Sequence, residues 1–161
     1  MDSLDKFSWG GSGMVRECAE WICENIKEGA TVLEVGAGAV STQFLSERYT
    51  LHSIEQAGEW VGTYENVNYI HAPLHNDWYS LENLQRLPKD YDLLLIDGPV
   101  GGNRFKIMDH LELFNIENNF IIVDDTYRPL ERSIVNGLVA KGKEIVLEGK
   151  EGDAPQFTVL K

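Results

Sequence analysis

Apolar positions along this chain alternate between two periods. Short runs, Thr31-Val-Leu-Glu-Val35, Leu51-His-Ser-Ile-Glu55, Val67-Asn-Tyr-Ile-His71, Tyr91-Asp-Leu-Leu-Leu-Ile96 and Asn119-Phe-Ile-Ile-Val-Asp124, read as strands. The last two are nearly continuous apolar runs, as central strands buried on both faces require. Between them the spacing becomes helical. Val15, Ala19, Ile22 and Ile26 form a stripe before the first strand, and Leu130, Ile134 and Leu138 form another after the fifth. Further helices are expected near 40–48, 57–62, 79–86 and 103–115. After Gly142 the order changes: two runs, Glu144–Glu148 and Gln156–Leu160, are separated only by a Gly/Asp/Pro turn. A parallel crossover needs about a dozen residues or more, so this pair must be antiparallel. The pattern predicts an α/β fold: a doubly wound, seven-stranded sheet, mostly parallel, closed by a C-terminal antiparallel hairpin.

Composition narrows the classes of function. The 161 residues suit one domain spanning 1–161, with residues 1–13 as a flexible lead-in or lid. Fourteen basic against 26 acidic side chains give a net charge of −12, which repels phosphate backbones and anionic lipid, so no nucleic-acid partner is expected. Apolar runs such as Leu93–Ile96 fall far short of the roughly 20 residues of a membrane span, so no membrane partner is expected either. The polar, acidic start Met1-Asp-Ser-Leu-Asp-Lys6 lacks a secretory pattern, which points to the cytoplasm. Cys18 and Cys23 point about 140° apart on a helix and read as reduced, structural residues outside any zinc spacing.

The first strand runs into Glu34-Val-Gly36-Ala37-Gly38-Ala-Val-Ser41, followed by a helix. Glycines at such a turn permit positive φ and close approach of a ligand to the backbone. Glu55 ends the second strand, where a carboxylate can take both hydroxyls of a ribose, and Trp60 offers an apolar wall for a base. A nicotinamide dinucleotide fits the same outline, but Ser41 replaces the third glycine and no Tyr-x-x-x-Lys pair is present. The motif instead resembles that of class I S-adenosylmethionine-dependent methyltransferases, which share a Rossmann-like sheet ending in an antiparallel hairpin. The resemblance extends from about residue 14 to 161. It implies that Glu34, Gly36, Ala37, Gly38, Ser41, Glu55, Trp60 and Asp97 form the cofactor site, with Glu55 on the ribose.

Asp97-Gly-Pro99 closes the fourth strand and Asp124-Asp125 the fifth. If these strands are neighbours, about 4.8 Å apart, three carboxyls meet at one sheet edge and repel unless a divalent cation such as Mg²⁺ joins them. Asp97, Asp124 and Asp125 are the expected metal ligands. This arrangement is similar to metal-dependent O-methyltransferases of the catechol and macrocin types. The segments around Asp97 and Asp124–Glu131 also resemble glucuronoxylan 4-O-methyltransferases. The lysine base of the catechol enzymes is replaced here by Val100, so the candidates for proton transfer are Asp97, His75 and Lys106. Structural readings stand beside these. Asp97 could simply line the pocket, Asp124 or Asp125 could cap the next helix, and His71, His75 and His110 could be packing residues. Arg104 and Lys106, after Gly101-Gly102, could reach an acceptor or form a solvated helix face, Trp60 and Trp78 could belong to the core, and Ser8–Gly13 is either a lid or a frayed terminus.

The reading expected from the sequence is thus methyl transfer from S-adenosylmethionine to a hydroxyl of a small molecule or sugar, assisted by a divalent cation. A non-catalytic S-adenosylmethionine-binding or protein-partner module and an NAD(P)-dependent oxidoreductase are the alternatives. Oligomeric state is not legible.

Overall fold

The computed structural model describes residues 4–11, 13–100, 102–151 and 154–161. Met1–Ser3, Ser12, Gly101 and the Gly152–Asp153 part of the hairpin turn lie outside the described residues. In chain order the elements are α1 (Arg16–Asn25), β1 (Thr31–Val35), α2 (Ala39–Ser46), β2 (Thr50–Glu55), β3 (Val67–His71), β4 (Leu74–His75), β5 (Trp78–Tyr79) and α3 (Leu81–Leu84). They continue through β6 (Leu93–Ile96), a 3₁₀ helix (Arg104–Leu113), β7 (Phe120–Asp124), α4 (Pro129–Ala140), β8 (Ile145–Glu151) and β9 (Ala154–Leu160).

The main sheet has seven strands in the order β3-β2-β1-β6-β7-β9-β8. Strands β3 through β7 in that order run parallel, while β9 is antiparallel to both β7 and β8. The chain moves outward from β1 to β3 and then returns to β6 on the other side of β1. That reversal makes the carboxyl ends of β1 and β6 the topological switch point, where folds of this kind open a crevice. Register aligns the strand ends there: Val35 pairs with Ile96, and Ile96 with Val123.

Alternate side chains of the central strands feed two cores. Leu33, Val35, Leu94, Ile96, Ile121 and Val123 pack with Ile107, Ile134 and Leu138 on one face. Val32, Leu93, Leu95 and Ile122 pack with Cys18, Ile22, Phe44 and Leu45 on the other. The N-terminal segment is anchored to this second core. Trp9 lies edge-on to Phe44 at 5.5 Å and its indole N–H donates to the Leu4 carbonyl at 2.8 Å.

Three expected helices differ. Over 57–62 the chain makes successive three-residue turns, Trp60 N–H to Ala57 and Val61 N–H to Gly58, and Gly62 at φ +83° ends any continuation. Over 79–86 only Leu81–Leu84 is helical, because Asn76 and Asp77 both take positive φ and turn β4 onto β5, pairing His75 with Trp78. Over 103–115 the helix is 3₁₀ in type and breaks at His110, whose φ is −132°. None of the helices in the described residues is long and apolar enough to cross a membrane.

Candidate active site

Gly36 follows β1 with φ +93°, a conformation that disfavours any side chain. A Cβ there would stand 2.6 Å from the Cα of Gly98, which follows Asp97 at the end of β6. The two backbones therefore touch across the switch point, and a cleft of about 520 Å³ opens above them. Its walls include Gly10, Gly38, Ser41, Glu55, Trp60, Asp97 and Arg104.

The loop is held from below by Glu34. This fully buried carboxylate accepts hydrogen bonds from the hydroxyls of Ser41, Thr42 and Ser53, each at 2.7 Å. Thr42 in turn accepts the Gly38 N–H at 2.9 Å. Burial outweighs those three hydroxyls and pushes the Glu34 pKa up to about 7. Glu34 does not reach the cleft surface, so its place is under the loop that would carry the cofactor rather than against the cofactor itself. Ser41 lines the cleft with its hydroxyl committed to Glu34.

Glu55 stands beside the loop. One carboxylate oxygen accepts the Ala37 N–H at 3.0 Å and the other the Ala57 N–H at 2.7 Å, which ties the glycine loop to the end of β2. Each oxygen keeps a second lone pair, so the group can still accept two hydroxyls from the cleft. Trp60, 39% exposed, lines the same cleft, whereas Trp78 is a core residue stacked on His110 at 5.6 Å.

The three acids do converge. Asp97, Asp124 and Asp125 each offer a carboxylate oxygen within 4.8 Å of the others. Their charge, however, is met by arginine. Arg104 is not on a solvated helix face: it is 7% exposed, and its guanidinium lies 2.9 Å from both Asp97 and Asp125. Arg128 adds a contact of 3.0 Å to Asp125, which reaches both arginines from a left-handed turn at φ +57°. Neither acid caps α4, whose N-cap position is Arg128 with Pro129 following. Burial, together with the neighbouring Asp124, raises the Asp97 pKa well above the carboxylate range despite the pull of Arg104. Burial and Asp125 push Asp124 up to about 6. With one acid protonated, three carboxyls and two guanidiniums are neutral without a further ion. A divalent cation does not fit this donor set as it stands, because it would meet two guanidiniums that already hold its ligands.

His75 and Lys106 lie elsewhere. They line a neighbouring cavity of about 270 Å³ with Trp78, Tyr79 and His110, and the Lys106 ammonium donates to the Asn76 carbonyl at 2.8 Å. His71 lies 3.2 Å from the Gln56 carbonyl. Of the three candidate bases only Asp97 faces the cleft. Gly10 and Gly13, from the glycine-rich lead-in, wall both the cleft and an adjoining cavity of about 300 Å³ that reaches Asp124, Tyr127 and Lys150.

No protein-family model matches the chain, and no curated protein matches it in sequence. Solved structures do. A precorrin-6y C5,15-methyltransferase from Geobacter metallireducens shares 17% identity at a TM-score of 0.64, over 98% of this chain and 93% of its own. Fibrillarin from Aeropyrum pernix, crystallised with natively bound S-adenosyl-L-methionine, shares 16% identity at a TM-score of 0.62, over 91% of this chain and 74% of its own. Magnesium protoporphyrin IX methyltransferase from Synechocystis, with the same molecule bound, shares 15% identity at a TM-score of 0.56, over 89% of this chain and 76% of its own. Likeness at such identities speaks for architecture alone, and in architecture this chain has the Rossmann-like fold of class I methyltransferases.

Proposed function

We propose that the protein is an S-adenosylmethionine-dependent methyltransferase acting on a hydroxyl oxygen of a small molecule or sugar. The observation that carries this reading is the placement of Glu55, fixed by the Ala37 and Ala57 N–H groups beside the Gly36–Gly38 loop with lone pairs free for a ribose diol. Trp60 supplies an apolar face beside it, and the acidic lining favours a sulfonium cation.

When bound, S-adenosylmethionine supplies an electrophilic methyl group whose departing sulfur keeps the bonding pair. The chain's own residues must hold the acceptor and move its proton. Asp97 lies in the cleft at the end of β6, with one carboxylate oxygen held 2.9 Å from Arg104. Asp97 would take the proton of an acceptor hydroxyl held in the cleft. Alignment of oxygen, carbon and sulfur supplies the rest of the acceleration.

The deciding experiment is calorimetry with S-adenosylhomocysteine and with NAD, followed by a turnover screen over phenols, polyols and sugars. Binding of S-adenosylhomocysteine with turnover of a hydroxyl acceptor supports the reading. Preference for NAD would replace it with an oxidoreductase, and binding without turnover on any acceptor would favour a non-catalytic module.

A further inference from the structure

The acid cluster at the ends of β6 and β7 poses a problem that the rest of the site does not explain. Three carboxyls converge where a cation is needed, and the cation present is a side chain. We propose that Arg104 is a built-in substitute for a divalent metal: a positioning residue whose guanidinium holds Asp97 toward the cleft, bridges it to Asp125 and excludes metal ions from the cluster. This inference deepens the methyltransferase reading and rests on it for the purpose that Arg104 serves.

The geometry carries it. A guanidinium offers a planar fork of five N–H donors, and this one places one terminal nitrogen 2.9 Å from Asp97 and the other 2.9 Å from Asp125. Those acids follow the ends of different strands, β6 and β7, so the fork does what a bridging ion does: it joins the two strand ends through one positive centre. Charges alternate from there outward, Asp97 to Arg104 to Asp125 to Arg128 and on to the buried Glu131 at 3.9 Å from Arg128. Arg104 also lines the cleft itself, together with Asp97. A metal ion entering the cluster would have to displace a side chain that is almost fully buried and twice ion-paired. Held between two carboxylates, the guanidinium offers hydrogen bonds and charge but no Lewis acidity, so any proton removal is left to a carboxylate such as Asp97.

The test uses Mn²⁺ as the probe, read by electron paramagnetic resonance on the whole protein without cofactor. Wild-type protein should leave Mn²⁺ free. Arg104→Ala uncovers three carboxyls whose oxygens lie within 4.8 Å, and its Mn²⁺ affinity should rise at least about tenfold. Millimolar guanidinium ion should then displace Mn²⁺ from the variant. Arg104→Lys, which keeps the charge but not the fork, should stay as blind to Mn²⁺ as the wild type. Micromolar Mn²⁺ binding by wild-type protein at this cluster overturns the proposal, as does a folded Arg104→Ala that gains no affinity, or an Arg104→Lys that binds as well as Arg104→Ala. If Arg104→Ala fails to fold, the wild-type and lysine arms decide alone. Calorimetry with S-adenosylhomocysteine on the wild-type sample reports separately on the methyltransferase assignment, so one can fail without the other.

Discussion

Gly36 and Gly98 bring the carboxyl ends of β1 and β6 into backbone contact, since a Cβ built on either would lie 2.6 Å from the other's Cα. That contact places the glycine loop directly beside Asp97. Gly36→Ala meets both this clash and the penalty of a side chain at φ +93°, whereas Gly62→Ala, at φ +83° with open space around it, meets only the second. Denaturant titration should show a loss of about 1–2 kcal/mol for Gly62→Ala, the scale of left-handed strain, and a clearly larger loss for Gly36→Ala. Equal losses would mean that the two strand ends can part without cost.

Glu55 makes a second, separable prediction. Its removal deletes the carboxylate proposed to accept the ribose hydroxyls and frees the Ala37 and Ala57 N–H groups. Glu55→Ala should weaken S-adenosylhomocysteine by about 1.5–3 kcal/mol, the scale of hydrogen bonds to a charged group. Calorimetry returning an unchanged affinity would take Glu55 out of the site.

The net charge of −12 makes a third. Duplex and single-stranded oligonucleotides should not bind at physiological salt, because there is too little positive charge to release counterions from the phosphates. Micromolar affinity in a fluorescence-anisotropy titration would refute this.

Much of the architecture was legible because strand periodicity is a local signal. The runs at 31–35 and 67–71 match β1 and β3 at both ends, and the antiparallel closure followed from loop length. The β4–β5 ribbon was missed because two-residue strands carry no period; the signal was the Asn76-Asp77 dipeptide, whose side chains tolerate left-handed φ. In the site, Glu55 and Gly36 stand where their spacing placed them. The solvated-face reading of Arg104 failed because burial of a charge is decided by partners beyond distant strand ends, here Asp97 and Asp125, and no local pattern announces it. The same holds for Glu34, whose three hydroxyl partners come from α2 and β2.

Glu34 carries the prediction with the sharpest sign. Its pKa rises from 4.5 to about 7 in the folded protein, so between those values the native state keeps a proton that the unfolded chain has released. Folding then binds more protons than unfolding, and stability must fall as pH rises through this window. The shift corresponds to about 3 kcal/mol, present below the unfolded pKa and lost once pH passes about 7. Asp124, raised to about 6, acts in the same direction, so the wild-type slope alone cannot be assigned to one group. Glu34→Gln isolates it. A neutral amide of nearly the same shape resembles the protonated acid, so the variant should match wild type near pH 4.5 and exceed it by up to about 3 kcal/mol at pH 7.5, read from urea midpoints at both values. Parallel stability curves would show that the hydroxyls of Ser41, Thr42 and Ser53 hold the buried charge as well as water does, and the loop above Glu34 would then rest on an ionised group throughout.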